Sequence, residues 1–301
     1  MKKISLIIIN LLYFYSLFAF EMVDIPQIKY TRKDKNSNFQ MVKIDSFYMA
    51  KDDVTLEEWG IYLDESLTST SEWKPKYVNS NFSINDLIEE IKFAYSSFGT
   101  IDTSLMKVDR KWPVCKISFL EAVNYCNYLS EKEGLALCYE ISINEYGTEK
   151  VIWNKNADGY RLPTLAEWQA VSELYSKQID RVYLRKTNNC DFYSNLKIND
   201  LIPNNYGVVN ILSNVGKFLW DYENKDESNF SSSIDNPTGP DIFTPSEEAI
   251  YYHDPIYEVR LCSNPFYVNA TTIDEFLKNQ YTGVEIYYLE NYTIRLCRSK
   301  K

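Results

Sequence analysis

The sequence predicts an α+β protein, rich in loops, with short strands and a few capped helices built into one domain. Three observations predict it. A Ser/Thr-x-x-Glu capping box recurs at Thr55, Ser118 and Thr164, each time just ahead of an apolar helical run. Short strand-like runs such as VEIYYLE and YTIRLC are set apart by long stretches rich in Asn, Tyr, Pro and Gly. No internal repeat and no linker divides the region that follows the leader. With 301 residues, 45% of them hydrophobic and 25 of them Tyr, the chain has the apolar surface a buried core needs and a disordered chain lacks.

Lys2 and Lys3 precede an apolar run over residues 4–20, closed by Glu21. That layout predicts an export signal at residues 1–20 with cleavage after Ala19, although Leu17 is bulky for its place two residues upstream. The run is slightly shorter than the ~20 residues of a spanning helix. Membrane attachment is therefore expected only where the segment stays uncleaved; otherwise the protein is periplasmic or extracellular. Residues 21–38 read as an amino-terminal lead-in, one strand plus a loop, ahead of a domain at residues 39–301. Alternating apolar residues at 39–50 predict a strand, and Thr55-x-x-Glu58 opens a helix bearing Trp59, Tyr62 and Leu63.

Residues 66–111 read as an insertion with its own helix, SINDLIEEIKFAY, whose Ile84, Leu87, Ile91 and Tyr95 share one face. In PVCKISFLEAVNYCNYLSEKEG (residues 113–134) Ser118-x-x-Glu121 caps a helix. Its apolar stripe is Ala122, Tyr125, Cys126 and Leu129, and Gly134 is the stop. YRLPTLAEWQAVSEL (residues 160–174) carries the third box, Thr164-x-x-Glu167, after Pro163. There Arg161 and Glu167 are placed to form a charge pair beside a buried Trp168.

A formal charge of −10 and a pI near 4.9 exclude a phosphate-tracking surface, so no nucleic-acid partner is expected. Six cysteines in an exported chain are an even set, compatible with disulfides. The closest two, Cys115 and Cys126, are too far apart for a Cys-x-x-Cys redox or zinc motif. The one histidine, His253, excludes a multi-histidine iron centre and sits in no nucleophile-elbow pattern.

Four ordered blocks resemble the formylglycine-generating enzyme (sulfatase-modifying factor) family. IDSFYMAKDDVTLEEW is similar to the family's strand and "k-x-E-V-T-n" helix start, and PVCKISFLEAVNYCNYLSEKEG to "P-V-x-x-V-S-w-x-d-A-x-x-Y-C-x-W". YRLPTLAEWQ is similar to "y-R-L-P-T-E-A-E-W-E", and PNNYGVVNILSNVGKFLWD to "p-N-x-f-G-L-y-D-M-x-G-N-V-W-E-W". The resemblance spans residues 39–298 and implies a C-type-lectin-like fold, often calcium-bound. It also implies an enzyme that oxidises a sulfatase cysteine to formylglycine through two cysteine thiolates on copper(I), a metal that soft thiolates suit.

Several departures weigh against that chemistry. The family places its two cysteines between "R-G-G-S-W" and the terminal "G-F-R"; here residues 263–296 contain no cysteine, and Leu261 and Cys262 replace the glycine pair. Cys262 remains as a reactive thiol, a disulfide partner or a buried cysteine. The acid of "G-N-V-W-E-W", in the block that supplies calcium ligands in the family, is Lys217, whose ammonium can substitute for the ion. The Asp of "L-y-D-M" is Asn210, and Asn214 remains as a vestigial metal ligand or a loop-satisfying Asn. By resemblance, Cys126 and Cys297 fall near positions that some members bridge.

Two functions follow. The first is a non-catalytic binding or structural module for a protein or glycan partner. Its contact surface would come from aromatic residues of the carboxyl half, Tyr252, Tyr257, Phe266 and Tyr267 among them, which equally suit a core. The second is a copper-dependent oxidoreductase whose thiols have moved to Cys262 and Cys190. Copper belongs only to this alternative; calcium stays open through Asn214.

Overall fold

A computed structural model describes residues 20–33, 39–68, 83–96, 108–143, 148–172, 203–212, 215–222, 233–239, 259–263, 281–285 and 292–300. Among them are thirteen short strands and four helices. Strands β1 (Met22–Ile25), β2 (Ile28–Lys33), β3 (Phe39–Ile44) and β4 (Phe47–Ala50) come first, followed by helices α1 (Leu56–Thr68), α2 (Ile84–Ser96) and α3 (Phe119–Lys132). After these come β5 (Tyr139–Ile143), β6 (Glu149–Trp153), β7 (Tyr160–Arg161) and α4 (Leu165–Val171). Strands β8 (Gly216–Tyr222), β9 (Ser233–Asp235), β10 (Val259–Ser263), β11 (Tyr281–Glu285), β12 (Tyr292–Thr293) and β13 (Cys297–Ser299) complete the order.

The strands form small sheets in the orders β1-β4-β13-β7, β11-β10-β8-β12 and β2-β3-β9, with β5-β6 as a hairpin. The first of these joins both ends of the chain, since β13 pairs antiparallel with β4 through Cys297↔Met49 and with β7 through Cys297↔Arg161. The expected lead-in is thus structural on both counts. Its β1 lies on the edge of that sheet, and the stretch read as a loop is β2, paired along its length with β3. The basic residues Lys29, Arg32 and Lys33 hid that strand, whose Ile28 and Tyr30 pack in an apolar cluster with Phe47, Leu165, Ala166 and Trp168.

All three expected capping boxes are present. Glu58 accepts from the Thr55 backbone N–H at 2.7 Å, while Ser118–Glu121 and Thr164–Glu167 are reciprocal boxes. A fourth box opens α2, where Asp86 accepts from Ser83 N–H at 2.7 Å and Ser83 Oγ accepts in return. This helix packs on α1: Ile84 and Leu87 are buried, and a side chain added at Gly60 would meet Ile84 Cγ1 at 3.3 Å. Glycine is what allows the approach. The side chains of Ile91 and Tyr95 lie outside the described residues.

Helix α3 departs from the expected amphipathic form, because residues 119–130 are buried all round. Asn127 and Ser130 on it find partners both within the helix and outside it. Asn127 donates to the Tyr139 carbonyl at 2.7 Å and accepts from the Tyr139 N–H at 3.1 Å; Ser130 Oγ donates to the Cys126 carbonyl and accepts from the Tyr160 N–H at 2.8 Å. Against α3, α1 contributes an aromatic nest in which Trp59, Tyr62, Tyr125 and Tyr128 rings lie 4.8 to 5.9 Å apart. The helix ends where expected, with Gly134 at φ 68°.

Candidate functional site

Two buried polar constructions organise the molecule. The first locks α4. Arg161 donates through Nη1 to Glu167 Oε2 at 2.8 Å and through Nη2 to Glu167 Oε1 at 2.7 Å, a bidentate pair as the sequence predicts. Glu167 Oε2 also accepts the Thr164 N–H at 2.9 Å, so one carboxylate caps the helix and holds the arginine. Trp168 is buried beside them and donates through its indole nitrogen to the Ile211 carbonyl at 3.3 Å. Asp221, from β8, accepts the Leu165 N–H at the helix start at 2.6 Å. Burial pushes the Asp221 carboxyl up to about 6, against the pull of its backbone hydrogen bonds.

The second construction is a charge centre in which Asp53, Lys217 and Arg295 have fully buried side chains. Parallel pairing of β12 with β8 sets Thr293 opposite Lys217, which places Arg295 just beyond it. Backbone bonds from Ala50 N–H to the Leu296 carbonyl and from Val54 N–H to the Ile294 carbonyl bind residues 50–54 to the same segment. Asp53 therefore meets both cations: its Oδ2 is 3.0 Å from Lys217 Nζ and its Oδ1 is 2.7 Å from Arg295 Nη2. Lys217 donates to the Val215 carbonyl at 2.7 Å, and Arg295 to the carbonyls of Ala50 at 3.0 Å and Val209 at 2.8 Å. Asp52 lies 4.0 Å from Arg295 and accepts from Asn210 Nδ2 at 2.8 Å.

Burial raises the Asp53 carboxyl and lowers the Lys217 ammonium, while their mutual attraction works the other way. This grouping was not foreseen from the sequence as a cluster. Its one signal was charged residues inside apolar runs, Arg295 in YTIRLC above all.

The oxidoreductase alternative places redox chemistry on Cys262 and Cys190 and not on the other four cysteines. Cys115, Cys126, Cys138 and Cys297 are free and buried, and burial pushes their thiols up, to about 12 for Cys115 and about 11 for Cys138. A thiol so placed is neutral at physiological pH, and copper(I) takes thiolates. These four do not fit that metal. The expected Cys126–Cys297 bridge is corrected by the structure, which holds both as free thiols. Cys126 packs in the cluster around α3, and Cys297 in the separate cluster beneath α4.

Cys262 stands on β10 between Phe218 of β8 and Thr282 of β11. Cys190, Asn214, Tyr252, His253, Tyr257, Phe266 and Tyr267 lie outside the described residues. No group of three or more His, Cys, Asp or Glu among the described residues is arranged to hold a metal ion. Nor does calcium fit the place of Lys217, because an ammonium already holds the carboxylate and carbonyl oxygens there. Among the described residues no helix is long and apolar enough to cross a membrane.

Short sheets, capped helices and a largely buried α3 define an α+β, C-type-lectin-like fold. Residues 19–251 match the model of the sulfatase-modifying factor enzyme 1-like domain, and the chain belongs to that family. Two solved structures share the fold across nearly their whole length. Treponema denticola variable protein 1 has a TM-score of 0.60 at 17% identity, covering 93% of this chain and 95% of its own. The crystal structure of CarF has a TM-score of 0.57 at 16% identity, covering 94% and 99%. Over 129 residues the chain is 32% identical to a Paenibacillus barcinonensis protein named chaperone protein LppX. That match covers 39% of this chain and 44% of the relative, so the chain spans less than half of the relative's length.

Proposed function

We propose that this family member is an exported, non-catalytic module whose loop-built surface binds a protein partner. The observation that carries the reading is that residues 263–296, where the family keeps its copper ligands, contain no cysteine; the thiols of Cys115, Cys126, Cys138 and Cys297 are buried and offer no substitute pair. The charge centre adds to it, since its three charged side chains are buried and ion-paired with one another. A relative named as a chaperone supports a protein as the partner class. Contact area is assigned to Tyr252, Tyr257, Phe266 and Tyr267, aromatic groups that supply large area at low entropic cost.

Photo-crosslinking groups placed at these four positions in the full exported chain test the surface. The expected result is a recurrent protein adduct that Tyr257→Ala and Tyr267→Ala abolish. Adducts only with glycan, or none at any position, would overturn the protein-binding reading. Formation of an aldehyde on a sulfatase-type peptide would return the function to the oxidoreductase class.

A further inference from the structure

Two departures from the family's pattern, at Asn210 and Lys217, meet consecutive residues of one turn. Asn210 Nδ2 donates to Asp52 Oδ1 at 2.8 Å, and Lys217 Nζ lies 3.0 Å from Asp53 Oδ2. The pattern the chain resembles carries acids at both positions. An acid at either would set carboxylate against carboxylate in or beside the core, which is stable only with a cation between them or a proton shared. Here Asn210 donates to the facing Asp52, and the Lys217 ammonium is ion-paired with the facing Asp53. The oxygens around Lys217 Nζ, the Val215 carbonyl at 2.7 Å and the Asp53 carboxylate, are of the hard type that calcium takes. Asn210 holds φ 59°, a left-handed conformation that Asn and Asp tolerate, so the exchange of one for the other costs the backbone little.

We infer that the Lys217 ammonium, assisted by the Asn210 amide, is a tethered replacement for a bound divalent cation, and that this chain folds without one. The ammonium brings one positive charge and three donors to the point where a divalent ion would have brought two charges. Arg295, 2.7 Å from Asp53 Oδ1, supplies the second positive charge. Both cations facing Asp53 thereby come from the chain itself, while Arg295 Nε and Thr293 Oγ1 are buried there without a hydrogen-bond partner among the described residues.

The test is the melting midpoint of the mature protein in chelator and then in millimolar calcium, with metal analysis after gel filtration. The wild type is expected to melt at the same midpoint in both and to retain no stoichiometric calcium. A saturable calcium-dependent rise, or calcium co-eluting with the chain, would overturn the inference. Asn210→Asp combined with Lys217→Glu restores both acids. That variant is expected to fall by roughly 10 °C in chelator and to recover in calcium. Equal melting of the folded variant in both conditions would count against the inference. Should it fold in neither, the wild-type comparison decides alone.

Discussion

Asp53→Asn removes the one fully buried anion from a centre with two fully buried cations, and the loss should be large. In the wild type, Asp53 lies 3.0 Å from Lys217 and 2.7 Å from Arg295, all three side chains being fully buried. After the substitution, Lys217 and Arg295 face each other with only Asp52, 24% exposed and 4.0 Å from Arg295, to offset them. Removing one partner of a buried pair typically costs about 3–5 kcal/mol, because the remaining charge stays desolvated. Two stranded cations place the expectation at the upper end, about 5 kcal/mol. Lys217→Met leaves Asp53 paired with Arg295 and should cost about half as much. In the Asp53→Asn background, Lys217→Met removes a stranded charge, so the double variant should be more stable than Asp53→Asn alone. Urea titration of the four proteins reads all of this, provided that the slope is unchanged and the transition is two-state. Additive losses, or a cost below about 1 kcal/mol for Asp53→Asn, would refute the charge-counting argument.

Further predictions concern the same core. Asp221 has its carboxyl pushed from 3.8 up to about 6, chiefly by burial, so between these values the native state holds a proton that the unfolded chain has released. Its contribution to stability is fully present below about pH 4 and is lost as the pH rises through about 6, amounting to about 3 kcal/mol. Asp221→Asn, which retains an acceptor for the Leu165 N–H, should raise stability at pH 7 and flatten the profile between pH 4 and 7. Unchanged profiles in urea titrations would contradict this. Glu167→Gln should lower the melting midpoint more than Ser118→Ala, because it strands the buried Arg161 as well as weakening a cap. In denaturant without reductant, Cys115, Cys126, Cys138 and Cys297 should all react with a thiol reagent, and in the native protein none should; peptide mapping distinguishes the two outcomes.

The capped helices were legible because their signals are local. Thr55 with Glu58, Ser118 with Glu121 and Thr164 with Glu167 lie three residues apart, and the Arg161–Glu167 pair follows from the turn they bracket. The exchange of the family's acid for Lys217 was legible in the sequence. What Lys217 would meet was not. Residues 53, 217 and 295 are brought together by parallel pairing of β8 with β12 and by backbone bonds from residues 50–54, neither of which leaves a periodic trace. Burial of α3 on every side was hidden for a related reason: Asn127 and Ser130 look solvent-facing until Tyr139 and Tyr160 arrive to satisfy them. The Cys126–Cys297 pairing rested on resemblance alone, and both are free thiols in the structure.

Whether the chain does formylglycine chemistry can be decided directly. Purified mature protein, loaded with copper(I), is incubated aerobically with a Cys-x-Pro-x-Arg peptide beside a competent family enzyme as control, and the peptide is read by mass spectrometry. A non-catalytic module leaves the peptide unchanged while the control converts it. Aldehyde product that disappears in Cys262→Ser would contradict the account and assign the chain to the oxidoreductases.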